Sequence, residues 1–339
     1  MALVWVVASG TGGHVFPALA VADILHKKGH KVLWIGTKSG IENKVVRNFN
    51  IKAIRAKPMR GKGKLGLLFG CFGLFVSIIQ SAILMIYNRP QAVLVMGGYV
   101  SAPVGLVASL FRVPLYLHEQ NAKAGLANKL LLPFVKIAFT ALGEPFTKHL
   151  NKIQQVGNPL RENIKNAKIK SVKVNSKLNC LVLGGSQGAQ SLNQKVFTAM
   201  LSLPVESRPN LWHQVGHINY EYYKSKYDEC VKVSDFIDDM SKAYEWADVI
   251  ISRAGAMTVS ECLYMNAKVA WVPYPFAVDD HQTANANYFL SIAQGWVWQE
   301  SDLDENLLLE LWGSTIDSEL GVGCVEGDAA ELIVSKLQL

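Results

Sequence analysis

Two stretches of this sequence have the composition of anion cradles. The first, Ser9-Gly10-Thr11-Gly12-Gly13-His14, follows the apolar run Leu3–Ala8. The second, Gly184-Gly185-Ser186-Gln187-Gly188-Ala189, follows Cys180–Leu183. Glycine after a strand lets backbone N–H groups approach a phosphate at the start of the next helix. A lone glycine turn is a weak signal, since a tight strand–helix turn has the same look. His14 at the helix start adds a group that titrates near neutrality and can take a proton. A further loop, Met96-Gly97-Gly98-Tyr99-Val100-Ser101-Ala102-Pro103, follows Val93–Val95, and Pro103 suits a helix start. It would lie at the same sheet edge as the first, so the two loops together could bind a diphosphate.

Polar residues close other apolar runs. His118-Glu119-Gln120-Asn121 follows Pro114–Leu117, and such residues are costly to bury unless hydrogen-bonded. They read either as a loop clasp or as a group, Glu119 or Asn121, at an acceptor hydroxyl. Ser252–Glu261 reads as strand, glycine turn and helix start, whose amides suit a leaving diphosphate. Glu261 could accept from ribose hydroxyls or be a plain helix-start acid. Asp279–Asn285 could read sugar hydroxyls. The one DxD, Asp302-Leu303-Asp304, lies far from any glycine loop and reads as a helix cap, so no metal site is expected. The first turn also fails the dinucleotide fingerprint. Val15 and Phe16 stand near the third glycine, and strand 31–36 ends in Gly36-Thr37-Lys38 with no ribose-binding acid. No cofactor is called for.

Strand-like runs alternate with helical stretches at 3–8, 32–36, 93–97, 114–118 and 137–141, then near 179–183, 211–215, 249–252 and 269–273. This predicts parallel sheets with crossover helices. The two glycine turns lie 174 residues apart in 339, which implies two similar α/β halves facing a cleft. Gly157-Asn158-Pro159 marks the boundary. It gives an N-terminal domain at 1–158, a second at 159–325, and a last helix within 326–339 that returns to brace the first domain.

Charge divides the same way. Residues 1–160 hold 19 Lys/Arg against four acids, whereas the remainder carries a net balance of −8. An anionic partner for the first half follows. Nucleic acid is excluded by the lack of an aromatic-interleaved basic run or reader motif. Five scattered cysteines without a CxxC argue against a disulfide framework or a thiolate zinc site. Met1 runs straight into a strand, with no signal-peptide pattern.

Residues 65–87 contain no charge and follow Arg60-Gly61-Lys62-Gly63-Lys64. The length would span a bilayer. A span would place two strands of one sheet on opposite sides of the membrane, so peripheral docking of an apolar face on an anionic leaflet is expected instead.

Together these stretches resemble the MurG family of bacterial glycosyltransferases. The matching motifs are GTGGHVFPALAVA from Gly10, RGKG from Arg60, MGGYVSAP from Met96, LHEQN from Leu117 and VGNPLR from Val156. They continue with GGSQGAQSLN from Gly184, FIDDM from Phe236, RAGAMTVSE from Arg253 and DDHQTANA from Asp279. The resemblance implies a GT-B fold, two Rossmann-like domains facing an interdomain cleft. It implies transfer of N-acetylglucosamine from UDP-GlcNAc to the 4-hydroxyl of the muramoyl sugar in undecaprenyl-diphospho-MurNAc-pentapeptide (lipid I), giving lipid II. By the same resemblance the donor site comprises Thr11, Gly12, Gly13, Asn121, Arg161, Ser186, Ile237, Ala256, Met257, Thr258, Val259, Ser260, Glu261 and Gln282. Ile237 would face uracil and Glu261 ribose. The acceptor diphosphate would lie on Gly13, Gly97, Gly98 and Tyr99. The implied setting is peripheral, on the cytoplasmic face of the plasma membrane, with an anionic inner leaflet and other cell-wall synthesis proteins as partners.

The attacking hydroxyl needs a base, and the candidates are His14 and then Glu119; the sequence does not choose between them. The alternatives are another GT-B transfer, a UDP-sugar epimerase, a nicotinamide-dependent oxidoreductase and a non-catalytic membrane scaffold. The missing ribose acid opposes the oxidoreductase, and a scaffold would have no use for His14, Glu119 and Glu261.

Overall fold

The computed structural model describes residues 1–56, 63–168, 177–185, 188–229, 231–313 and 328–339, with the side chains of 63–69, 71 and 278 left out. The Arg60–Lys62 part of the basic run and the Leu67 and Leu68 side chains fall outside the described residues. Two compact units divide the chain: Met1–Arg161 with Val325–Leu339, and Glu162–Cys324.

The first unit is built on seven parallel strands in the order β3-β2-β1-β4-β5-β6-β7. They are β1 (Leu3–Ala8), β2 (Lys31–Gly36), β3 (Asn50–Ala53), β4 (Ala92–Gly97), β5 (Leu115–Glu119), β6 (Ile137–Thr140) and β7 (Ile153–Gln155). The central strands read LVWVVA and AVLVMG because helices cover both sheet faces, and a strand buried on both sides carries apolar residues at every position. On one face the helix Gly12–Lys27 buries Ala18, Val21 and Leu25 against Val4, Val6 and Leu94. The helix Ala329–Lys336 seals that core with Ile333 and Val334. Lys28 pairs with Glu331 at 2.5 Å, and the Gln338 N–H donates to the Tyr116 hydroxyl at 3.1 Å.

The other face carries the helix Gly63–Tyr87. It connects β3 to β4, two strands of one sheet, so it is a crossover. Its inner side is Ser77, Ser81 and Met85 at a four-residue spacing, all buried. The Ser77 hydroxyl donates to the Arg55 carbonyl, and Gln80 Oε1 accepts from the Arg55 N–H at 2.8 Å. Phe72, Phe75, Ile79, Ile83 and Ile86 form an exposed apolar stripe. Among the described residues no helix is long and apolar enough to cross a membrane.

The second unit has six parallel strands in the order β10-β9-β8-β11-β12-β13. These are β8 (Asn179–Leu183), β9 (Asn210–Gln214), β10 (Val231–Ser234), β11 (Val249–Ser252), β12 (Val269–Trp271) and β13 (Gly295–Val297). The nine strands read from the sequence are all present. The four it missed, β3, β7, β10 and β13, are the edge strands of the two sheets.

Candidate functional site

In each sheet the chain reverses its direction of winding once, between β1 and β4 in the first unit and between β8 and β11 in the second. Ligands of open α/β sheets bind at the carboxyl ends of the strands beside such a switch point. The glycine turns singled out above leave the sheets there.

In the first unit the two turns interlock. Gly97 and Gly98 have φ of +116° and +86°, which disfavours any other residue. A β-carbon on Gly97 would lie 2.2 Å from Cδ2 of His14, and one on Gly98 would lie 2.4 Å from the Ser9 carbonyl oxygen. The His14 ring therefore rests on the Gly97 backbone. The helix that begins at Gly12 has Thr11 at its N-cap with no side-chain cap bond, so its first amides receive no side-chain oxygen from Thr11. Tyr99 is exposed. Arg161 stacks over the Phe16 ring, 5.2 Å from its centroid.

Glu42, which the sequence reading passed over, holds the first turn from below. It is fully buried; Oε2 accepts from the Gly10 N–H at 3.3 Å, and Oε1 accepts from the Thr37 N–H and hydroxyl at 2.7 and 2.8 Å. The carboxylate sits on the Gly10 amide, which removes that amide from the set a phosphate can use. No periodic pattern marks Glu42, because its role is tertiary.

Glu119 is equally enclosed. Oε1 accepts from the Asn121 N–H and Nδ2 at 3.0 and 3.1 Å, and Oε2 accepts from the Gly125 N–H and Asn128 Nδ2 at 3.0 and 2.9 Å. Four N–H donors satisfy both oxygens and fold the 119–128 loop around the carboxylate. Beside it, His118 Nε2 donates to the Gly157 carbonyl at 2.9 Å, and burial pushes this imidazole down to about 4. Gln120 Nε2 donates to the Met96 carbonyl, tying the β5 loop to the β4 loop.

In the second unit the helix Ala256–Tyr264 starts at Gly255, again without a side-chain cap, with Ala256 buried and Met257 and Thr258 partly open. The turn before it is fixed by Arg253, nearly buried. Nη1 donates to the Val272 and Pro273 carbonyls at 3.0 and 3.2 Å; Nη2 donates to Ser191 Oγ at 3.2 Å and pairs with Glu300. Asn285 Nδ2 donates to the Ala254 carbonyl at 3.0 Å. Glu261, one turn into the helix, is buried, and its Oε2 accepts from the Tyr244 hydroxyl at 2.8 Å. Ser260 is half-buried and Ile237 buried. Gln282 Oε1 accepts from the Tyr274 N–H at 2.8 Å. Asp279 and Asp280 both have left-handed backbones, φ +56° and +52°. Ser186 lies outside the described residues.

The first unit thus gathers Thr11, Gly12, Gly13, His14, Gly97, Gly98, Tyr99, Glu119 and Asn121 at the carboxyl edge of β1, β4 and β5, with Arg161 on Phe16. The second gathers Ile237, the 256–261 stretch and Gln282 at the corresponding edge of its own sheet. Asp304 caps the helix Glu305–Gly313, accepting from the Asn306 and Leu307 N–H groups at 3.0 Å each. Among the described residues no group of three His, Cys, Asp or Glu could hold a metal ion.

The glycosyltransferase family 28 N-terminal domain matches residues 4–140, and the C-terminal domain of the same family matches residues 179–312. A relative from Pseudoalteromonas translucida (strain TAC 125) is 42% identical over 298 residues, covering 86% of this chain and 82% of its own. It is named UDP-N-acetylglucosamine–N-acetylmuramyl-(pentapeptide) pyrophosphoryl-undecaprenol N-acetylglucosamine transferase. The crystal structure of Acinetobacter baumannii MurG superposes with a TM-score of 0.83 at 34% identity, over 100% of this chain and 99% of that one. A UDP-GlcNAc 2-epimerase from Methanocaldococcus jannaschii shares the fold alone, with a TM-score of 0.66 at 12% identity over 99% of each chain. Both units are Rossmann-like, the domain make-up of GT-B glycosyltransferases.

Proposed function

The chain belongs to glycosyltransferase family 28, and within it to the MurG enzymes, and on that footing we propose that it transfers N-acetylglucosamine from UDP-GlcNAc to the muramoyl 4-hydroxyl of lipid I, giving lipid II. What carries the reading is the convergence of the family's motifs on two strand-switch points, one in each unit.

The second unit takes the donor. Ile237 faces the uracil and Glu261 the ribose, while Ser186, the 256–260 stretch, Gln282 and Asn121 complete the sugar nucleotide's contacts. The first unit takes the lipid diphosphate on Gly13, Gly97, Gly98 and Tyr99, and the family's pattern assigns Thr11, Gly12 and Gly13 to the donor as well. The reaction is a displacement at the anomeric carbon. The muramoyl hydroxyl attacks as UDP leaves from the opposite face, and an α-linked donor becomes a β-glycoside. Negative charge gathers on the departing diphosphate. The uncapped amides at the start of the helix Ala256–Tyr264 meet it, aided by the positive end of the helix dipole and by Arg161.

His14 is the base. Its ring lies against Gly97, between the two acceptor turns. Glu119 is the poorer candidate because each of its oxygens already accepts two N–H bonds from its own loop, which leaves neither oxygen placed to meet an acceptor hydroxyl. Its part is to hold the loop that presents Asn121. A positioned base contributes on the order of 10²–10⁴ in rate.

The acceptor's undecaprenyl chain stays in a bilayer, and the first unit meets that surface. The exposed stripe Phe72, Phe75, Ile79, Ile83 and Ile86 inserts, and the basic excess of residues 1–160 supplies attraction to an anionic leaflet. The setting is peripheral, on the cytoplasmic side, where other cell-wall synthesis proteins can meet it.

The test is an incubation of sugar-labelled UDP-GlcNAc with lipid I or a short-chain analogue. Label in a lipid-linked disaccharide supports the reading. Epimerised free sugar nucleotide, or no transfer, refutes it.

A further inference from the structure

Gln214 ends β9, the strand between β8 and β10, and its register partners are Leu183 on one side and Ser234 on the other. Beyond this point the three strands run into separate loops. The Gln214 side chain is 4% exposed, and its one amide group spans the gap. Nε2 donates to the Gly185 carbonyl at 3.1 Å and to the Asp235 carbonyl at 3.0 Å. Gly185 belongs to the second glycine-rich stretch, and its carbonyl also accepts from the Gly188 N–H at 2.9 Å. Gly188, at φ +74°, lies where a β-carbon would come within 2.4 Å of the Val215 carbonyl oxygen, so Gly188 is seated against the residue that follows Gln214. Asp235 stands two residues before Ile237.

A carboxamide nitrogen carries two hydrogens in one plane at a fixed angle. Two carbonyls bonded to the same NH₂ group are therefore held at a fixed separation. The two loops so joined are those assigned above to the two ends of a nucleoside diphosphate, the phosphates and the base.

We propose that Gln214 is a positioning residue that sets the spacing between Gly185 of the phosphate turn and Asp235 of the base loop, so that the two ends of a uridine diphosphate bind cooperatively. The proposal rests on the donor assignment above. Preorganisation of this kind lowers the cost of ordering two loops around one ligand. It acts on binding and not on the chemical step, so its loss raises the donor KM with little change in kcat.

The experiment uses the full chain and two probes, UDP and UMP, titrated into wild type, Gln214→Leu and Gln214→Met. In the wild type the added phosphate strengthens binding; in both variants that gain is expected to shrink by about tenfold, with the donor KM rising by a similar factor and kcat held within roughly threefold. A role in stability alone would lower Tm and leave the UDP-to-UMP affinity ratio unchanged, and that result overturns the proposal. Should the variants fail to fold, amide exchange in the wild type decides. Uridine, which has no phosphate, is expected to slow exchange of the Gly188 amide as well as of amides near Ile237. Protection confined to the Ile237 loop overturns the coupling. A wild type that binds neither UDP nor UDP-GlcNAc overturns the donor assignment and this proposal with it, whereas UDP binding with unaltered ratios in the variants overturns the role of Gln214 alone.

Discussion

Lowering the pH from about 7.5 to about 5 should weaken each unit by about 2 kcal/mol through one buried histidine apiece. His118 in the first unit is fully buried, and burial holds its imidazole at about 4. His213 in the second is held at about 3 by the same cause. His213 is also satisfied as a neutral ring, with Nε2 donating to Asn193 Oδ1 at 3.2 Å and Nδ1 accepting from the Tyr227 hydroxyl at 2.9 Å. In the unfolded chain an imidazole titrates near 6.5. Below that pH the unfolded state binds a proton that the folded state refuses, so stability falls as the pH falls. The loss begins near 6.5 and is complete only below about 4 for His118 and about 3 for His213. At about pH 5 the unfolded pKa lies roughly 1.5 units above the solution pH, and each unit is worth about 1.4 kcal/mol, which gives the 2 kcal/mol figure. The result does not depend on how far below 5 the folded value lies. Amide exchange of the slowest residues in β1 and β4, and in β8 and β11, reads each unit's opening free energy once intrinsic rates are corrected for pH. His118→Gln should flatten the pH loss of the first unit by about 2 kcal/mol, whatever it does to absolute stability, and His213→Gln should do so for the second. A variant unit that loses as much stability as the wild type across this range would show that its histidine carries no linkage.

The base assignment predicts that His14→Ala lowers kcat by about 10²-fold or more and leaves UDP-GlcNAc affinity near wild type, whereas Glu119→Gln mainly lowers Tm; steady-state kinetics with calorimetry checks this, and a kinetic collapse confined to Glu119→Gln would exchange the roles. Glu261→Ala should weaken UDP binding far more than binding of the deoxyribose analogue, measured by titration; equal losses would remove Glu261 from the ribose. Turnover should survive EDTA, because helix-end amides and Arg161 meet the diphosphate charge; abolition by EDTA with recovery on adding magnesium or manganese contradicts this. Vesicles containing anionic lipid should retain the protein, with Phe75→Asp and Ile79→Asp together releasing more of it than high salt does; salt alone releasing all of it would rule out apolar insertion.

Much of the fold was legible because interior strands of a parallel sheet are apolar at nearly every position, as in β1, β4 and β8. The edge strands β3, β7, β10 and β13 escaped for the converse reason. Each has a single neighbour and runs only three or four residues, and Asn50, Lys52, Gln154 and Lys232 break the apolar run. Glycine turns were legible as turns, and the interlock of His14 with Gly97 follows from β1 and β4 being neighbours. The clasp at Glu119 was one of two readings of its motif; the other clasps left no mark in the sequence. Glu42 reaches Gly10, His213 reaches Asn193, and Gln214 reaches Gly185 and Asp235, all 20 to 32 positions away, through contacts that exist only once the sheet has formed. Arg253 was visible as a motif letter, but its burial against Glu300 and two carbonyls of the next loop was not.

The helix Ala329–Lys336 lies on the helix Gly12–Lys27, so the first unit is assembled from both ends of the chain. On the ribosome this has a cost in time. Residues 1–161 emerge with Ala18, Val21 and Leu25 still lacking their last cover, and about 170 further residues must be made before Ile333 and Val334 appear. At bacterial and eukaryotic synthesis rates of roughly 5–20 residues per second, that interval is on the order of ten to thirty seconds. The second unit can form in the meantime, being continuous in sequence. The nascent first unit meanwhile presents two apolar faces, the unsealed core and the stripe on Gly63–Tyr87. Folding intermediates of this chain are therefore stickier than the finished protein, and their capture by a chaperone or an anionic membrane during synthesis is the expected outcome.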